Sequence, residues 1–219
     1  MTTQLWTPWT PYGDMTYPPA VEAADYKDLY PEGTMQPLAF PPANDNNMPP
    51  VVALTGQAGA GKSTAARYLV ERHGYTLVKF AAPLKNMMRA LGLNDNQIEG
   101  DEKELPCALL CGKTPRHAMQ ALGTEFGRHC IGENFWVDLW MHQANQHDRV
   151  VVDDCRFPNE AAAVRRMGGD IYQIAGRGGI AGHHESERGI GLDPDVLIPN
   201  NGRVEDLYKL LDKQLARWG

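Results

Sequence analysis

The sequence lacks any apolar run that approaches the ~18 residues of a membrane-spanning helix. Its first residues also lack the charged and then apolar pattern of a signal peptide, because prolines interrupt the segment MTTQLWTPWTPYGD. Cysteine is scarce, and neither Cys107 nor Cys111 has the second cysteine pair or the spaced histidines of a zinc site. These absences predict a cytoplasmic protein with reduced thiols.

The sequence is equally poor in clustered basic residues. Its formal net charge of −6 comes from 27 acidic and 21 basic side chains. Residues 1–50 hold six of the acids and one base, which leaves 21 acids and 20 bases for residues 51–219. A nearly neutral body does not offer the basic face that binds a nucleic-acid backbone. Nucleic acid is therefore not expected among the partners.

Residues 1–50 differ in composition from the rest of the chain. They contain ten of the 16 prolines, seven aromatic residues between those prolines and no apolar periodicity. This composition predicts an extension that is extended or partly disordered. The alternative is an arm whose aromatic side chains pack on the protein's own core or on a partner subunit, since so many aromatics are unusual in a disordered segment. A homodimer is one arrangement compatible with such an arm.

From residue 51 onward, short apolar runs alternate with helical patterns. Strands are predicted at residues 51–55, 76–81, 149–154, 170–174 and 195–198, and helices at 63–74, 82–92, 114–128, 133–146, 158–168 and 203–218. Short buried strands joined by helical crossovers indicate a parallel sheet with helices on both faces. Residues 51–219 are therefore predicted to form one α/β domain.

Residues 56–64 read GQAGAGKST, which fits the Walker A pattern between a predicted strand and a predicted helix. The backbone N–H groups of such a loop and the positive end of the following helix hold a phosphate chain. Lys62 is expected to reach the β- and γ-phosphates, and the hydroxyl of Ser63 to ligate Mg²⁺. The pattern predicts an ATP and Mg²⁺ site formed by Gly56, Gln57, Ala58, Gly59, Ala60, Gly61, Lys62, Ser63 and Thr64.

The loop alone does not distinguish kinases from GTPases and ATPase motors. Five strands leave no room for the additional strands of a motor, and no Asn-Lys-x-Asp segment is present to bind guanine. A small-molecule kinase is therefore favoured. Asp153 and Asp154 at the end of the third predicted strand are candidates to hold the Mg²⁺. Because side chains alternate along a strand, only one of the two is expected to face the metal.

Five blocks of the sequence resemble, in order and spacing, the deoxynucleoside monophosphate kinases of tailed bacteriophages: FAAPLK (80–85), TPRHAMQALGTEFGR (114–128), NFWV (134–137), VVDDCRFPNEA (151–161) and HHESE (183–187). The resemblance implies ATP-dependent phosphorylation of deoxynucleoside 5′-monophosphates to diphosphates, in the host cell cytoplasm. It also implies a P-loop NTPase fold with strand order 2-3-1-4-5 and a helical acceptor-binding insert at about 83–147. The glycine-rich segment AGRGGIAGHHESERGIG (175–191) predicts a lid at about 176–192, with a plain surface loop as the alternative. Asp154 aligns with the acid of the family's Asp-x-Arg pattern, so Asp154 rather than Asp153 is expected to organise the Mg²⁺.

Transfer between two anions needs cations that gather them. About 120° of α-helix rotation separates Arg116 from Arg128, so at most one of them is expected to point at the acceptor, and Arg128, which follows GTEFG, is favoured. Phe80 and Trp136 are candidates to stack on the acceptor base, with core packing as the alternative. The predicted catalytic residues are Lys62, Arg128, Asp154, Arg156 and Arg177. The predicted substrate-binding residues are Phe80, Lys85, Arg116, Gln120, Arg128, Trp136, Arg156 and Glu160.

Two other functions stay open at this point. The first is a kinase of the same fold that phosphorylates hydroxymethylated bases within viral DNA. The nearly neutral body argues against it, although a local basic groove could form in the folded chain. The second is an ATP-binding switch module that transfers no phosphate, which would not need the arginines of the acceptor blocks.

Overall fold

A computed structural model describes residues 48–176 and 193–218 of the chain. The predicted N-terminal extension lies outside the described residues except for its last three, and the predicted lid lies outside them except for Gly176. The strands are β1 Val51–Thr55, β2 Thr76–Leu77, β3 Val150–Val152, β4 Asp170–Ala175 and β5 Val196–Pro199. The α-helices are α1 Lys62–His73, α2 Ala82–Ala90, α3 Asp95–Ile98, α4 Pro115–Gln120, α5 Phe135–Ala144, α6 Pro158–Arg166 and α7 Val204–Leu215.

The five strands form one parallel sheet in the order β2-β3-β1-β4-β5, as the sequence predicts. Val52 of β1 pairs with Val151 of β3 on one side and with Asp170 of β4 on the other. All five strands run in the same direction, so their carboxyl ends meet at one edge of the sheet. The loop after β1 and the acidic pair after β3 lie at that edge.

Helices cover both faces of the sheet, which confirms the predicted layering. Val52 and Leu54 of β1 pack in one apolar cluster with residues of α1 and α7. Val51 and Ala53 pack in a second cluster with residues of α5 and α6. The alternation along β1 divides its side chains between the two clusters, and burial of both faces explains why the strand reads as a continuous apolar run.

The segment between β2 and β3 forms its own small apolar cluster. Met88, Leu93 and Ile98 are buried there, and Leu110 and Leu122 pack against them.

Two predicted elements differ from the structure. The single α-helix predicted over 114–128 is instead the short α-helix α4, followed directly by a π-helix, Ala121–Ile131. The predicted second strand is also too long, because β2 ends at Leu77. After Leu77 the chain turns toward α2. Val78 N–H still donates a hydrogen bond to Val151 O of β3.

The last residues before β1 are anchored to the body of the protein. Tyr75 donates a hydrogen bond from its hydroxyl to Pro49 O at 2.8 Å, and Val150 N–H donates to Pro50 O at 2.8 Å. The packed part of the chain therefore begins before residue 51. Within the described ranges, no helix has the length and apolar character needed to cross a membrane.

Candidate active site

The loop between β1 and α1 has a backbone that requires glycine at two positions. Gly56 and Gly61 have φ angles of 133° and 106°, which lie in the region that favours glycine. A Cβ at Gly56 would lie 2.3 Å from Ile174 O, and one at Gly61 would lie 2.5 Å from Asn200 Nδ2. Neighbouring atoms therefore leave no room for a side chain, and both glycines let the loop wrap around a ligand at the start of α1.

Two side chains hold this loop in shape. The ammonium of Lys62 donates to Gly56 O at 2.7 Å and to Gln57 O at 2.9 Å, so it lies across the loop. Asn200 is buried after β5 and donates from Nδ2 to Ala60 O at 2.8 Å. Asn200 was not predicted from the sequence. Its position directly after a strand was a usable signal, because the carboxyl ends of parallel strands meet at one edge of the sheet.

Asp153 is the carboxylate that lies beside the loop. Ser63 Oγ donates to Asp153 Oδ2 at 3.3 Å, which joins the first turn of α1 to the end of β3. Lys79, which follows β2, places its ammonium 3.1 Å from Asp153 Oδ1 and 3.3 Å from Oδ2. The side chain of Asp153 is only 4% exposed. Sequence reasoning considered Asp153 but favoured its neighbour, and it missed Lys79.

Asp154, the acid that was predicted to organise the Mg²⁺, bonds instead to the turn after β2 and not to Ser63. Its carboxylate accepts hydrogen bonds from Phe80 N–H and Ala81 N–H, both at 3.0 Å. Burial raises the pKa of this carboxyl, and the two backbone donors lower it in part. The two acids do point in opposite directions, as predicted, but the acid that faces the loop is not the predicted one. Asp154 shapes the turn after β2, and Asp153 faces the loop.

Ser63 and Asp153 fit a hard divalent cation. Asp153 Oδ1 is buried and accepts no hydrogen bond within the described part of the chain, although the ammonium of Lys79 lies near it. A hydroxyl and a carboxylate are the donor types that Mg²⁺ takes in phosphate sites, and in this structure the carboxylate is paired with Lys79. The predicted metal ligand Ser63 is therefore retained, and the carboxylate beside it is Asp153.

The structure brings Arg128 together with the segment after β3. Arg128 lies on the π-helix, and its Nη2 is 3.4 Å from Glu160 Oε1. Its guanidinium carbon lies 4.1 Å from the ring centroid of Phe157, in a cation–π arrangement. Arg128 therefore contacts two residues of the RFPNE segment (156–160), namely Phe157 and Glu160. Single π-helical turns are frequent at functional sites, and here the π-helix carries the predicted acceptor arginine.

Glu160 is buried and contacts Arg128, Arg156 and Phe157. Its Oε2 accepts from Arg156 N–H at 2.7 Å and from Phe157 N–H at 3.1 Å, at the first turn of α6. Burial raises the pKa of Glu160 to about 7, although these N–H groups and Arg128 lower it in part. The oxygens of Glu160 bond to the protein itself in this structure, so its predicted contact with the substrate stays a prediction. Its role is to cap α6 and hold Arg128.

Arg156 is exposed, and the part of the chain that the structure describes gives its guanidinium no hydrogen bond or ion pair. Its charge lowers the pKa of Asp154, so it lies near the end of β3. The other predicted polar contacts are directed elsewhere. Lys85 pairs with Glu99 at 2.7 Å and Arg116 pairs with Glu104, so a substrate contact of either cation stays a prediction. Gln120 is exposed at the end of α4.

Neither predicted stacking residue is open to a ligand. Phe80 is 4% exposed and packs on Trp140 in the core, with ring centroids 4.4 Å apart. Trp136 is 5% exposed, and its Nε1 donates to Gly123 O at 2.8 Å. Both aromatics therefore take the core alternative. The predicted catalytic residue Arg177 lies outside the described residues.

Two sequence comparisons point to one family. Residues 113–211 match the family model for deoxynucleotide monophosphate kinase. A protein of Acanthamoeba polyphaga mimivirus that carries the provisional name deoxynucleotide monophosphate kinase is 36% identical over 179 residues, which cover 72% of this chain and 92% of that protein. This relative comes from a giant virus, so an origin in a tailed bacteriophage stays a prediction.

Two solved kinase structures are similar at a greater distance. The APS kinase of Mycobacterium tuberculosis is 12% identical with a TM-score of 0.41, and the match covers 77% of this chain and 98% of that one. The shikimate kinase of Bacteroides thetaiotaomicron is 15% identical with a TM-score of 0.42, covering 76% and 98%. The family model and the mimivirus relative carry the assignment: the chain belongs to the viral deoxynucleotide monophosphate kinase family, and it is a nucleotide kinase.

Proposed function

We propose that the chain transfers the γ-phosphate of ATP, bound with Mg²⁺, to the 5′-phosphate of a deoxynucleoside monophosphate. The observation that supports this most directly is the grouping of two sites along one segment after β3. Asp153 bonds to Ser63 of the phosphate loop, and Arg156 and the arginine-binding Glu160 follow within seven residues. A donor phosphate at the loop and an acceptor phosphate at the arginines would therefore be neighbours.

On the donor side, the backbone N–H groups of residues 56–64 and the positive end of α1 bind the phosphates. Lys62 offsets the charge that develops on the phosphate in transfer, and Ser63 with Asp153 would hold the metal. The metal, when bound, supplies charge neutralisation between the β- and γ-phosphates. Asn200 and the two close-packed glycines keep the loop in the shape that these contacts require.

On the acceptor side, Arg128 and Arg156 bind the monophosphate. A guanidinium can bond two phosphate oxygens at once, which suits a monophosphate dianion better than the point charge of a lysine. Glu160 and Phe157 hold Arg128 in one orientation, so little side-chain entropy is lost when the ligand binds. Arg156 is exposed and has its charge available for a ligand.

The arginine assignment is tested by Arg128→Ala and Arg156→Ala, with Arg203→Ala as a matched control on the exposed start of α7. A charge-assisted hydrogen bond to a charged group is worth about 1.5–3 kcal/mol. Each test variant should therefore raise the KM for the deoxynucleoside monophosphate about tenfold or more, while the KM for ATP changes much less. Lysine at either position should restore only part of the loss.

The same variants can contradict the proposal. If kcat and the acceptor KM stay at the parent values in both, the acceptor is not held by these arginines. If kcat falls at saturating acceptor while KM is constant, the arginine acts on the phosphate in transfer rather than on acceptor binding.

A further inference from the structure

Lys79 is a cation of the site that the proposed function does not use. Its ammonium lies 3.1 Å from Asp153 Oδ1, on the carboxylate that also accepts from Ser63. The two partners differ in exposure, because the side chain of Asp153 is 4% exposed and that of Lys79 is 34% exposed. The carboxylate is therefore fixed, whereas the ammonium reaches it from solvent.

The charge of Asp153 needs a partner because a buried carboxylate without one is costly. Lys79 supplies that partner in the described structure. The same oxygens are the ones that fit a divalent cation together with the Ser63 hydroxyl. An ammonium and a metal ion on one carboxylate would repel each other strongly in a partly desolvated site. Lys79 and a bound metal are therefore alternatives rather than companions.

The surroundings of Lys79 show where its side chain can move. Lys79 lines a groove of about 440 Å³ along β2, which leaves space for its flexible stem. The two residues that follow it, Phe80 and Ala81, bond through their N–H groups to Asp154. The charge of Arg156 acts on Asp154 as well. Lys79 lies after β2 and Arg156 lies after β3, its neighbour in the parallel sheet, so both residues are at the carboxyl edge of the sheet.

We propose that Lys79 is a movable cation: it pairs with Asp153 when no metal is bound, and it turns to the acceptor phosphate when the metal site is filled. This inference rests on the proposed function for the identity of the acceptor. It predicts that a filled metal site strengthens acceptor binding, and by thermodynamic reciprocity that the acceptor strengthens metal binding by the same factor.

The first test uses Mn²⁺ and ADP without acceptor, so that no phosphate is transferred. Mn²⁺ binding to the ADP complex is measured by electron paramagnetic resonance for the parent, Lys79→Met, Lys79→Arg and the control Lys209→Met on the exposed face of α7. Loss of the competing ammonium should tighten Mn²⁺ binding several-fold in Lys79→Met. A guanidinium still competes for Asp153, so Lys79→Arg should stay near the parent, as should the control.

The second test is calorimetric binding of dAMP, dCMP, dGMP and dTMP to the complex with ADP, with and without Mg²⁺. The parent should bind the accepted nucleotide more tightly when Mg²⁺ is present. Lys79→Met should lose most of that gain, with acceptor affinity in the Mg²⁺ complex reduced about tenfold, the loss of one charge-assisted contact.

Unchanged Mn²⁺ affinity in Lys79→Met would contradict the competition between Lys79 and the metal ion. If Mn²⁺ binds equally more tightly to Lys79→Arg and to Lys79→Met, the effect comes from altered packing instead. Tighter Mn²⁺ binding does not result from misfolding, so the first test remains decisive even if the variant is less stable. An Mn²⁺ effect with no binding of any deoxynucleoside monophosphate would leave Lys79 as a competitor for the metal. It would contradict the proposed acceptor and the second half of the inference.

Discussion

At the scale of single residues, the adjacent acids Asp153 and Asp154 show how one step along a strand separates two roles. Asp153 bonds to Ser63 and Lys79 at the phosphate loop. Asp154 bonds to the N–H groups of Phe80 and Ala81 and fixes the turn after β2. We assign the first contact set to ligand binding and the second to the stability of the fold.

The two roles predict different results for the same chemical change. Asp153→Asn should raise the Mg²⁺ concentration needed for half-maximal turnover by about 10–100-fold, the usual range for loss of a metal-site carboxylate partner. Asp154→Asn should leave that concentration close to the parent value. It should instead lower the free energy of unfolding by about 1.5–3 kcal/mol, because one amide oxygen cannot serve two backbone donors as well as a carboxylate does.

Magnesium titrations of turnover and urea unfolding of both variants check these expectations. A larger magnesium effect in Asp154→Asn than in Asp153→Asn would contradict the assignment of Asp153 to the metal.

Several residue roles could not be read from the sequence alone. The alternation rule predicts that the two acids face opposite sides but does not say which side holds the loop, and the family pattern pointed to Asp154. Phe80 and Trp136 are aromatic residues within the blocks that resemble the family. Such a residue is equally typical of a core and of a site where a side chain stacks on a base. Only the packing of Phe80 on Trp140 and of Trp136 under the π-helix decides between them.

At the scale of elements, the π-helix Ala121–Ile131 depends on a close contact with α5. A Cβ at Gly127 would lie 2.2–2.7 Å from ring atoms of Trp136, whereas one at Gly132 would meet no atom within 4 Å. Gly127 also precedes Arg128, so a shift of the π-helix at this point moves the arginine that we propose to bind the acceptor.

Gly127→Ala should therefore destabilise the protein by about 1–3 kcal/mol, the usual cost of overpacking, and raise the acceptor KM. Gly132→Ala is the matched control, and its free energy of unfolding should stay within about 0.5 kcal/mol of the parent. Thermal or urea unfolding with steady-state kinetics measures both effects. A Gly127→Ala variant with parental stability and KM would show that the contact with Trp136 does not position Arg128.

The start of α6 predicts a pH dependence of stability through Glu160. Burial raises its pKa from 4.5 to about 7, so in the folded protein the carboxyl stays protonated to higher pH than in the unfolded chain. Folding is therefore favoured by this group below about pH 4.5, and the contribution is lost as pH rises to about 7. The difference in pKa corresponds to about 3 kcal/mol.

Glu160→Gln removes this titration. As pH rises from 4.5 to 7, the parent should lose up to about 3 kcal/mol of unfolding free energy relative to the variant. Glu71→Gln, on the exposed face of α1, should follow the parent. Urea unfolding at a series of pH values provides the measurement, and parallel curves for the parent and Glu160→Gln would contradict the burial argument.

The elements themselves were largely predictable, and the exceptions have physical reasons. Five strands, their order and the helices of both faces follow from apolar runs, the Walker A context and the family resemblance. The second strand was predicted too long because the apolar run continues to Phe80, which belongs to the core without pairing in the sheet. The π-helix has no distinct sequence signal, since its residues read as an ordinary helix.

At the scale of the whole molecule, every described residue of the site lies beyond residue 50. Removal of residues 1–47 should therefore preserve most of the turnover rate. Removal of residues 1–50 should lower the free energy of unfolding by about 1–3 kcal/mol more, because it also removes the carbonyls of Pro49 and Pro50 that bond to Tyr75 and Val150. Turnover and thermal unfolding of the two truncated proteins check this. A folded 48–219 protein without turnover would place part of the site in residues 1–47.

The central claim is that the site transfers phosphate from ATP to a deoxynucleoside monophosphate. Its most direct test is ADP release, with chromatographic identification of the products, for each of the four deoxynucleoside monophosphates, for a duplex containing hydroxymethylated bases and for water alone. We expect ADP and a deoxynucleoside diphosphate in equal amounts with at least one monophosphate, and little ADP with the duplex or with water. Phosphate transfer to the duplex, or ADP release that no monophosphate increases, would contradict it.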